Sequence, residues 1–437
     1  MTSGSEASGP ILVLYHATRS PLRASVRDHL YSFERYSGRP CIYVNLAVRS
    51  LPPLQSLGVR AVIFHTLLLA QRWHPPTFRR LVARLQPLRG LDCHTVAIPQ
   101  DDYIHTTALR DFIRDFAVDR VLSCAPESEW RTIYGDLLDG PTRFTRVLPG
   151  YLEPATLRRI ADLAPSIGAR TIDIGYRAWR PDYSLGRHAL LKARVGEAFA
   201  AAAAGAGVKA DISLRDEDTI LGDDWYRFML RCRWMIGVEG GASLLDADGS
   251  IRERTAAYRA SHPGATFDEV EAACFPGLDG SINLVSISPR HLEACATGTA
   301  QVLVAGSYNG ILEPEVHYLP VRPDLADVPD VIERLRDEAL RDRIAARAHA
   351  DIAASGRFEY AAFVRESLAG IPPAPTQVRG VAARFALRWA RSLDRPSWGW
   401  VWIRWHARQA VRRILDRLGL LDRVLRVRDE RSLRAEG

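Results

Sequence analysis

A chain of 437 residues, 47% hydrophobic and 25% charged, has the balance of an ordinary soluble protein and the length for two domains and an appendage. Its +7 net charge sits at one end: from Arg379 onward there are 15 arginines against 6 acids, so residues 1–378 are slightly acidic, which argues against a catalytic body built on nucleic acid. No apolar run reaches the ~18–20 residues of a membrane span, no charged-then-apolar leader is expected, and the six single cysteines form no C-x-x-C pair, which excludes zinc ribbons and dithiol redox and points to reduced thiols.

Residues 1–9 are small and polar and predict a disordered tail. Apolar runs at 11–15, 41–46, 61–64, 94–98 and 120–123 then alternate with helical patterns such as 21–36, 76–85 and 107–116. Short buried strands alternating with helices predict a parallel α/β sheet, here over residues 10–165. Ligands of such sheets bind beyond the carboxyl ends of the strands. That rule puts His16, His65 and the pair Asp101 and Asp102 on one rim, as candidates for acceptor binding or a general base.

A crossover at 148–165 leads to a second α/β series over 166–355. Its first strand (171–175) ends at Tyr176 and Arg177, and Lys192 lies on the following helix; lysine is rare here, with only Lys192 and Lys209 against 56 arginines. The strand at 234–238 runs into Glu239, Gly240, Gly241, Ala242 and Ser243, where two glycines allow close backbone approach to a ligand. Residues 244–280 read as an insertion with two helices. Asp246 and Asp248 form a D-x-D, which reads as a helix-starting turn rather than a metal site. One long helix is expected over 330–355, and a short one at 356–370 is expected to cross back onto the first domain.

The stretch 286–310, SISPRHLEACATGTAQVLVAGSYNG, organises the second half. The β-branched run 282–287 predicts a buried parallel strand. Ser288 and Pro289 supply an N-cap and a first-turn proline, and Gly298 a stop, so a helix spans 289–297 before a strand at 301–305. The mouth of that helix points free N–H groups and the positive end of its dipole above the strand ends, and Arg290 adds a full charge. This is a cradle for a phosphate, with Glu293 one turn in to hold hydroxyls. Beyond residue 371, a proline-rich linker (371–375) precedes a basic tail with five of the ten tryptophans: Trp389, Trp398, Trp400, Trp402 and Trp405. Trp402, Trp405, Val411, Leu415, Leu418 and Leu425 recur near helical spacing, beside a stripe of Arg404, Arg408 and Arg412. The pattern fits an anionic membrane surface, or a face that packs on a partner or on the protein's own body.

The segment Glu293-Ala294-Cys295-Ala296-Thr297-Gly298 resembles the donor-binding signature of group 1 glycosyltransferases. The closest likeness is to bacterial members with an SPRHFEA-like segment and a YSGI-like one, here Tyr308-Asn309-Gly310-Ile311. It covers roughly residues 171–368. It implies a GT-B fold, two Rossmann-like domains facing across a cleft, with transfer of a sugar from a nucleotide-sugar donor and no other cofactor. Arg177 (or Arg187) with Lys192 match the family's diphosphate ligands. Gly240, Gly241, Arg290, His291, Glu293, Ser307, Tyr308 and Asn309 are expected around the donor. The family's paired glutamate falls on Val285 here, so Glu239 is expected to take its role, with Asp102 and His65 as the first-domain catalytic candidates. The resemblance implies a metal-independent transferase at the cytoplasmic face of the membrane, acting on a glycan or lipid-linked acceptor, with no nucleic-acid partner. A silent nucleotide-binding scaffold and a nucleotide-sugar epimerase are the alternatives.

Overall fold

The computed structural model describes residues 9–371 and 381–417. The expectations for residues 1–8, for the prolines at 372–375 and for Leu418 and Leu425 lie outside the described residues, as do the side chains of Arg412 and Leu415.

In the first domain β1 (Ile11–Tyr15), β2 (Cys41–Asn45), β3 (Ala61–Phe64), β4 (His94–Ala97), β5 (Arg120–Ser123) and β6 (Arg143–Arg146) form one parallel sheet in the order β2-β1-β3-β4-β5-β6. Every residue of β1 and β3 is buried, because apolar clusters cover both faces: Leu12, Leu14 and Val62 on one, Ile11, Val13 and Ile63 on the other. The strand order reverses between β1 and β3, which opens a crevice at their carboxyl ends.

The second domain holds β7 (Ile172–Arg177), β8 (Ala210–Ser213), β9 (Cys232–Gly237), β10 (Gly240–Ala242), β11 (Leu284–Ser286), β12 (Ala300–Val304) and β13 (Leu319–Val321). Five of these form a parallel sheet, β13-β12-β9-β7-β8, with its reversal between β7 and β9. The other two, β10 and β11, pair antiparallel. The run 282–287 is therefore not a strand of the parallel sheet, as its composition suggested. Gly241 explains the exchange: a Cβ there would stand 1.7 Å from the Leu284 carbonyl oxygen, so only glycine lets the two backbones pair.

Two further expectations change. The crossover expected at 148–165 contains a helix, Pro154–Ile167. It packs against Asp223–Arg231 of the second domain, and its Ile160 joins that domain's core. The long helix at 330–355 is two, Val328–Arg334 and Glu338–Ala348, continued by a π-turn at His349–Ala353. The break falls where the Asp337 carboxylate accepts the Leu340 N–H (2.9 Å) and starts a new helix.

Three connections join the domains. The chain crosses over through residues 147–153. It returns as the helix Tyr360–Ser367, which packs on Ala24–Tyr36 and adds Phe363 and Val364 to the first core. The insertion forms the third: its helices Ser250–Ser261 and Phe267–Cys274 follow a segment whose Asp246 exchanges backbone hydrogen bonds with the first domain, His105 N to Asp246 O (2.7 Å) and Asp246 N to Tyr103 O (2.9 Å). The Asp246 carboxylate accepts the N–H groups of Gly249, Ile251 and Arg252, and Asp248 that of Ser250, so both acids of the D-x-D serve the start of a helix.

The tail forms helices Val381–Ser392 and Asp394–Arg417, packed beside the edge strand β2. Tyr15 and Tyr31 donate their hydroxyls to Asp394 (2.6 and 2.7 Å), and Trp398 stacks on Tyr15. The tail thus docks on its own first domain and covers an open sheet edge. No described helix is long and apolar enough to cross a membrane.

Candidate functional site

A cleft of about 250 Å³ opens where the two domains face each other. Arg23, Ala24 and Ser25 of the first domain line one wall. Arg177, Trp179, Arg215, Asp216, residues 218–222, Trp225, and Ser288, Pro289, Arg290 and Glu293 line the other. The mouth of the helix Pro289–Ala296 therefore opens into the interdomain gap.

That mouth is prepared from behind. The Ser288 N–H donates to His291 Nδ1 (3.2 Å), and the Ile287 N–H to Asn309 Oδ1 (2.8 Å), so neighbouring orphan donors are already satisfied. His291 is 2% exposed, and burial followed by the charges of Arg290 and Lys192 pushes its imidazole down to about 3. It is a neutral group that caps the start of the helix.

The charge at the mouth comes from three cations. Arg290 donates to the Arg177 carbonyl (2.7 Å), which aims its guanidinium. Lys192 lies beside it, its ammonium 5.7 Å from the centroid of the Trp179 ring, and burial, then repulsion from Arg290, pushes it down to about 8. Arg23 approaches from the first domain; burial and then Arg290 lower its pKa. Among the described residues none of the three has a carboxylate within 4.0 Å, whereas other arginines, such as Arg187 with Asp268 and Glu271, are paired. Cations without a carboxylate partner that face one another across a cleft repel each other, and an anion between them removes that cost.

Glu293 sits one turn inside. Trp225 Nε1 donates to its Oε2 (2.8 Å), and burial raises its pKa against that bond and the Arg290 charge. Its other oxygen has no hydrogen bond among the described residues.

Of the other sequence candidates, Arg177 lines the cleft and the rest brace it. Arg177 lies over the Phe228 ring and pairs with Asp211 (2.7 Å), so its carbonyl, not its charge, serves the site. The Glu239 carboxylate accepts the N–H and hydroxyl of Ser307 and the N–H of Tyr308 (3.0, 2.9 and 2.6 Å), so the three residues form one clamp with Glu239 and Tyr308 buried. Gly240 and Gly241 belong to the β10–β11 pairing. Tyr308 is fully buried, its hydroxyl on the Val304 carbonyl. Arg187, the alternative to Arg177, faces the insertion.

In the first domain the structure buries both catalytic candidates. His65 is 0% exposed; its Nδ1 accepts the Leu67 N–H and its Nε2 faces His29 Nδ1 (2.9 Å). Asp102 is also fully buried, accepts from Ser123 Oγ (2.5 Å) and is pushed up to about 6 by burial. Its neighbour Asp101 is the acid that feels the second domain: burial raises its pKa, and Arg72 and then Lys192 oppose that. The backbone is left-handed at Gln100 (φ 61), just before the half-buried Asp101. The wholly buried Arg72 pins the loop through the carbonyls of Asp101, Ile104 and Leu69.

Reasoning from sequence missed Arg23, Trp179, Trp225 and the 215–222 loop. Trp179 carried a signal, two residues past the end of β7; Arg23 carried none, because its part in the site depends on how the domains meet.

No family model matches the chain, and no curated protein matches it. Among solved structures it is similar to HepE from Anabaena in complex with UDP-glucose, at 12% identity, 82% of this chain, 98% of that one and a TM-score of 0.41. It is similar also to a glycosyltransferase from Rickettsia africae (10%, 83%, 99%, 0.46) and to sucrose-phosphate synthase from Thermosynechococcus elongatus (13%, 82%, 97%, 0.42). With two parallel α/β domains turning their strand ends to one cleft, and a last helix of the body returning to the first, the chain has the GT-B fold.

Proposed function

We propose that this protein is a glycosyltransferase that moves a sugar, of the hexosyl type, from a nucleotide-sugar donor to a glycolipid, polysaccharide or other cell-surface acceptor. The observation that carries the reading is the meeting of Arg290 and Arg23 at a helix mouth in an interdomain cleft, with Lys192 near enough to feel the Arg290 charge and none of the three paired with a carboxylate among the described residues. The donor diphosphate lies against these cations, and Glu293 receives hydroxyls of the ribose or sugar. In the reaction the bond between the sugar C1 and the diphosphate oxygen breaks, a bond from C1 to the acceptor oxygen forms, and the acceptor proton passes to Asp101. Charge that builds on the departing diphosphate is met by side chains already in place, and these cations support a metal-independent reading.

The protein is read as working at the cytoplasmic face of a membrane. Its six cysteines are free thiols, which suits a reducing compartment, and the tail turns aromatic and basic side chains outward. The full use of the Glu239 carboxylate inside the fold favours the second reading, a nucleotide-binding scaffold. The test is to incubate the protein with UDP-, GDP- and ADP-activated hexoses and a membrane lipid extract, and to follow nucleoside diphosphate and labelled lipid together. Both are expected to rise. Nucleotide binding without either leaves the scaffold, an epimerised donor leaves the epimerase, and no nucleoside diphosphate raising the melting temperature ends all three readings.

A further inference from the structure

We propose that the first-domain rim between the cleft and the C-terminal helices binds the phosphate of a membrane-borne, phosphate-linked lipid acceptor. This rests on the transferase reading and names the acceptor class for it.

The argument starts from the tail as a fixed shelf. Its inner side is anchored by Asp394, by Trp398, whose Nε1 donates to the Tyr31 hydroxyl (2.5 Å), and by the buried Ala390 and Val401. Its outer side leaves Phe385, Trp389, Trp400, Trp402, Ile403 and Val411 between 51% and 74% exposed. Exposed Arg388, Arg404 and Arg408 lie among them. Aromatic rings beside arginines suit the zone between lipid tails and headgroups.

The shelf leads to the cleft. Trp405 lies under the Arg19 guanidinium, 5.7 Å from its carbon to the ring centroid. Arg19 is in the loop after β1, near enough to Arg23 to oppose its charge, and Arg23 lines the cleft. On the same rim Arg49 Nε donates to Ser397 (3.3 Å), and Arg84 holds the carbonyls of Leu46 (2.7 Å) and Arg49. None of Arg19, Arg23, Arg49 or Arg84 has a carboxylate within 4.0 Å among the described residues. Arginine is the side chain suited to phosphate, which it grips through two N–H groups at once. The surface thus grades from aromatic shelf, through Arg19, to Arg23 and the donor cations. A lipid phosphate lodged at Arg19, with Arg49 adding charge further along the same helix, would carry its acceptor group on toward Arg23 and the cleft.

The test uses the full chain and three vesicle types: phosphatidylcholine alone, phosphatidylcholine with phosphatidylglycerol, and phosphatidylcholine with a long-chain isoprenyl pyrophosphate at matched charge. The expected result is affinity for the pyrophosphate vesicles about tenfold above that for phosphatidylglycerol, with that preference lost in Arg19→Ala/Arg49→Ala. The double variant must keep its melting temperature and its stabilisation by nucleoside diphosphate. Equal affinity for the two charged vesicles overturns the proposal in favour of a generic anionic surface. Binding to none of them overturns it in favour of a protein partner. In either case a retained nucleotide shift leaves the transferase reading standing, and loss of that shift in the wild type shows that the reading itself has failed.

Discussion

Replacing Lys192 by methionine should separate a ligand site from an ordinary ion pair, because the two predict opposite changes in stability. Lys192 sits in a mostly buried position with no carboxylate beside it, and its pKa falls from 10.5 to about 8, with burial the first cause and Arg290 the second. A shift of that size is a differential cost of about 3 kcal/mol for holding the charge in the folded state, an upper figure because the cleft is open to water. Methionine has a similar stem and no charge, so the empty variant should melt higher, by about 5 °C for a domain of this size. The sign follows from linkage. Between pH 8 and 10.5 the unfolded chain holds the Lys192 proton more tightly than the folded one, so wild-type stability gains with pH across that window and the advantage of the variant shrinks. Nucleotide binding should move the other way. A charge-assisted hydrogen bond to a phosphate is worth about 1.5–3 kcal/mol, so affinity for the nucleoside diphosphate should fall about 10- to 150-fold. Thermal shift with and without UDP, GDP and ADP, followed by calorimetry on the best of them, reads both quantities. A Lys192→Met protein that melts lower than wild type and keeps its nucleotide shift would refute the anion site.

The pH dependence of binding provides a second measurement. An anion restores the lysine proton, so affinity for the nucleoside diphosphate should decline as pH rises above about 8 in the wild type and stay level in Lys192→Arg. Asp101→Asn should cut transfer about 10²- to 10⁴-fold, the usual worth of a general base, while nucleotide binding persists. Asp102→Asn, beside it but buried against Ser123, should instead show its effect in the melting temperature, with a cost of about 1–3 kcal/mol; equal loss of transfer in both variants would remove Asp101 from the reaction. Glu239→Ala strips three hydrogen bonds from the 307–308 loop and should destabilise the protein by at least about 3 kcal/mol by chemical denaturation, an effect absent if the carboxylate serves only the donor.

Sequence alone determined what depends on neighbours along the chain. The apolar runs of β1 and β3 announced strands buried on both faces, the alternation with helices announced parallel sheets, and Ser288-Pro289 with Gly298 bracketed the helix whose mouth opens into the cleft. Arg290 and Lys192 could be placed for the same reason, one at the start of a helix and the other a set distance past a strand end. Tertiary structure decided everything that depends on which surfaces meet. Glu239 and Asp101 are both acids at strand ends, and no local pattern tells them apart. One was turned inward because Ser307 and Tyr308 offer it donors, and the other was left facing Lys192 because Arg72 fixes its loop from below. Val285 and its neighbours had the composition of a parallel strand, yet Gly241 gave them an antiparallel partner. Arg23 had no signal at all, since its charge reaches the site only through the packing of one domain on the other. Backbone propensity and hydrophobic period are written into short stretches, whereas the electrostatics of a site are a sum over groups that only the folded arrangement brings within a few ångströms.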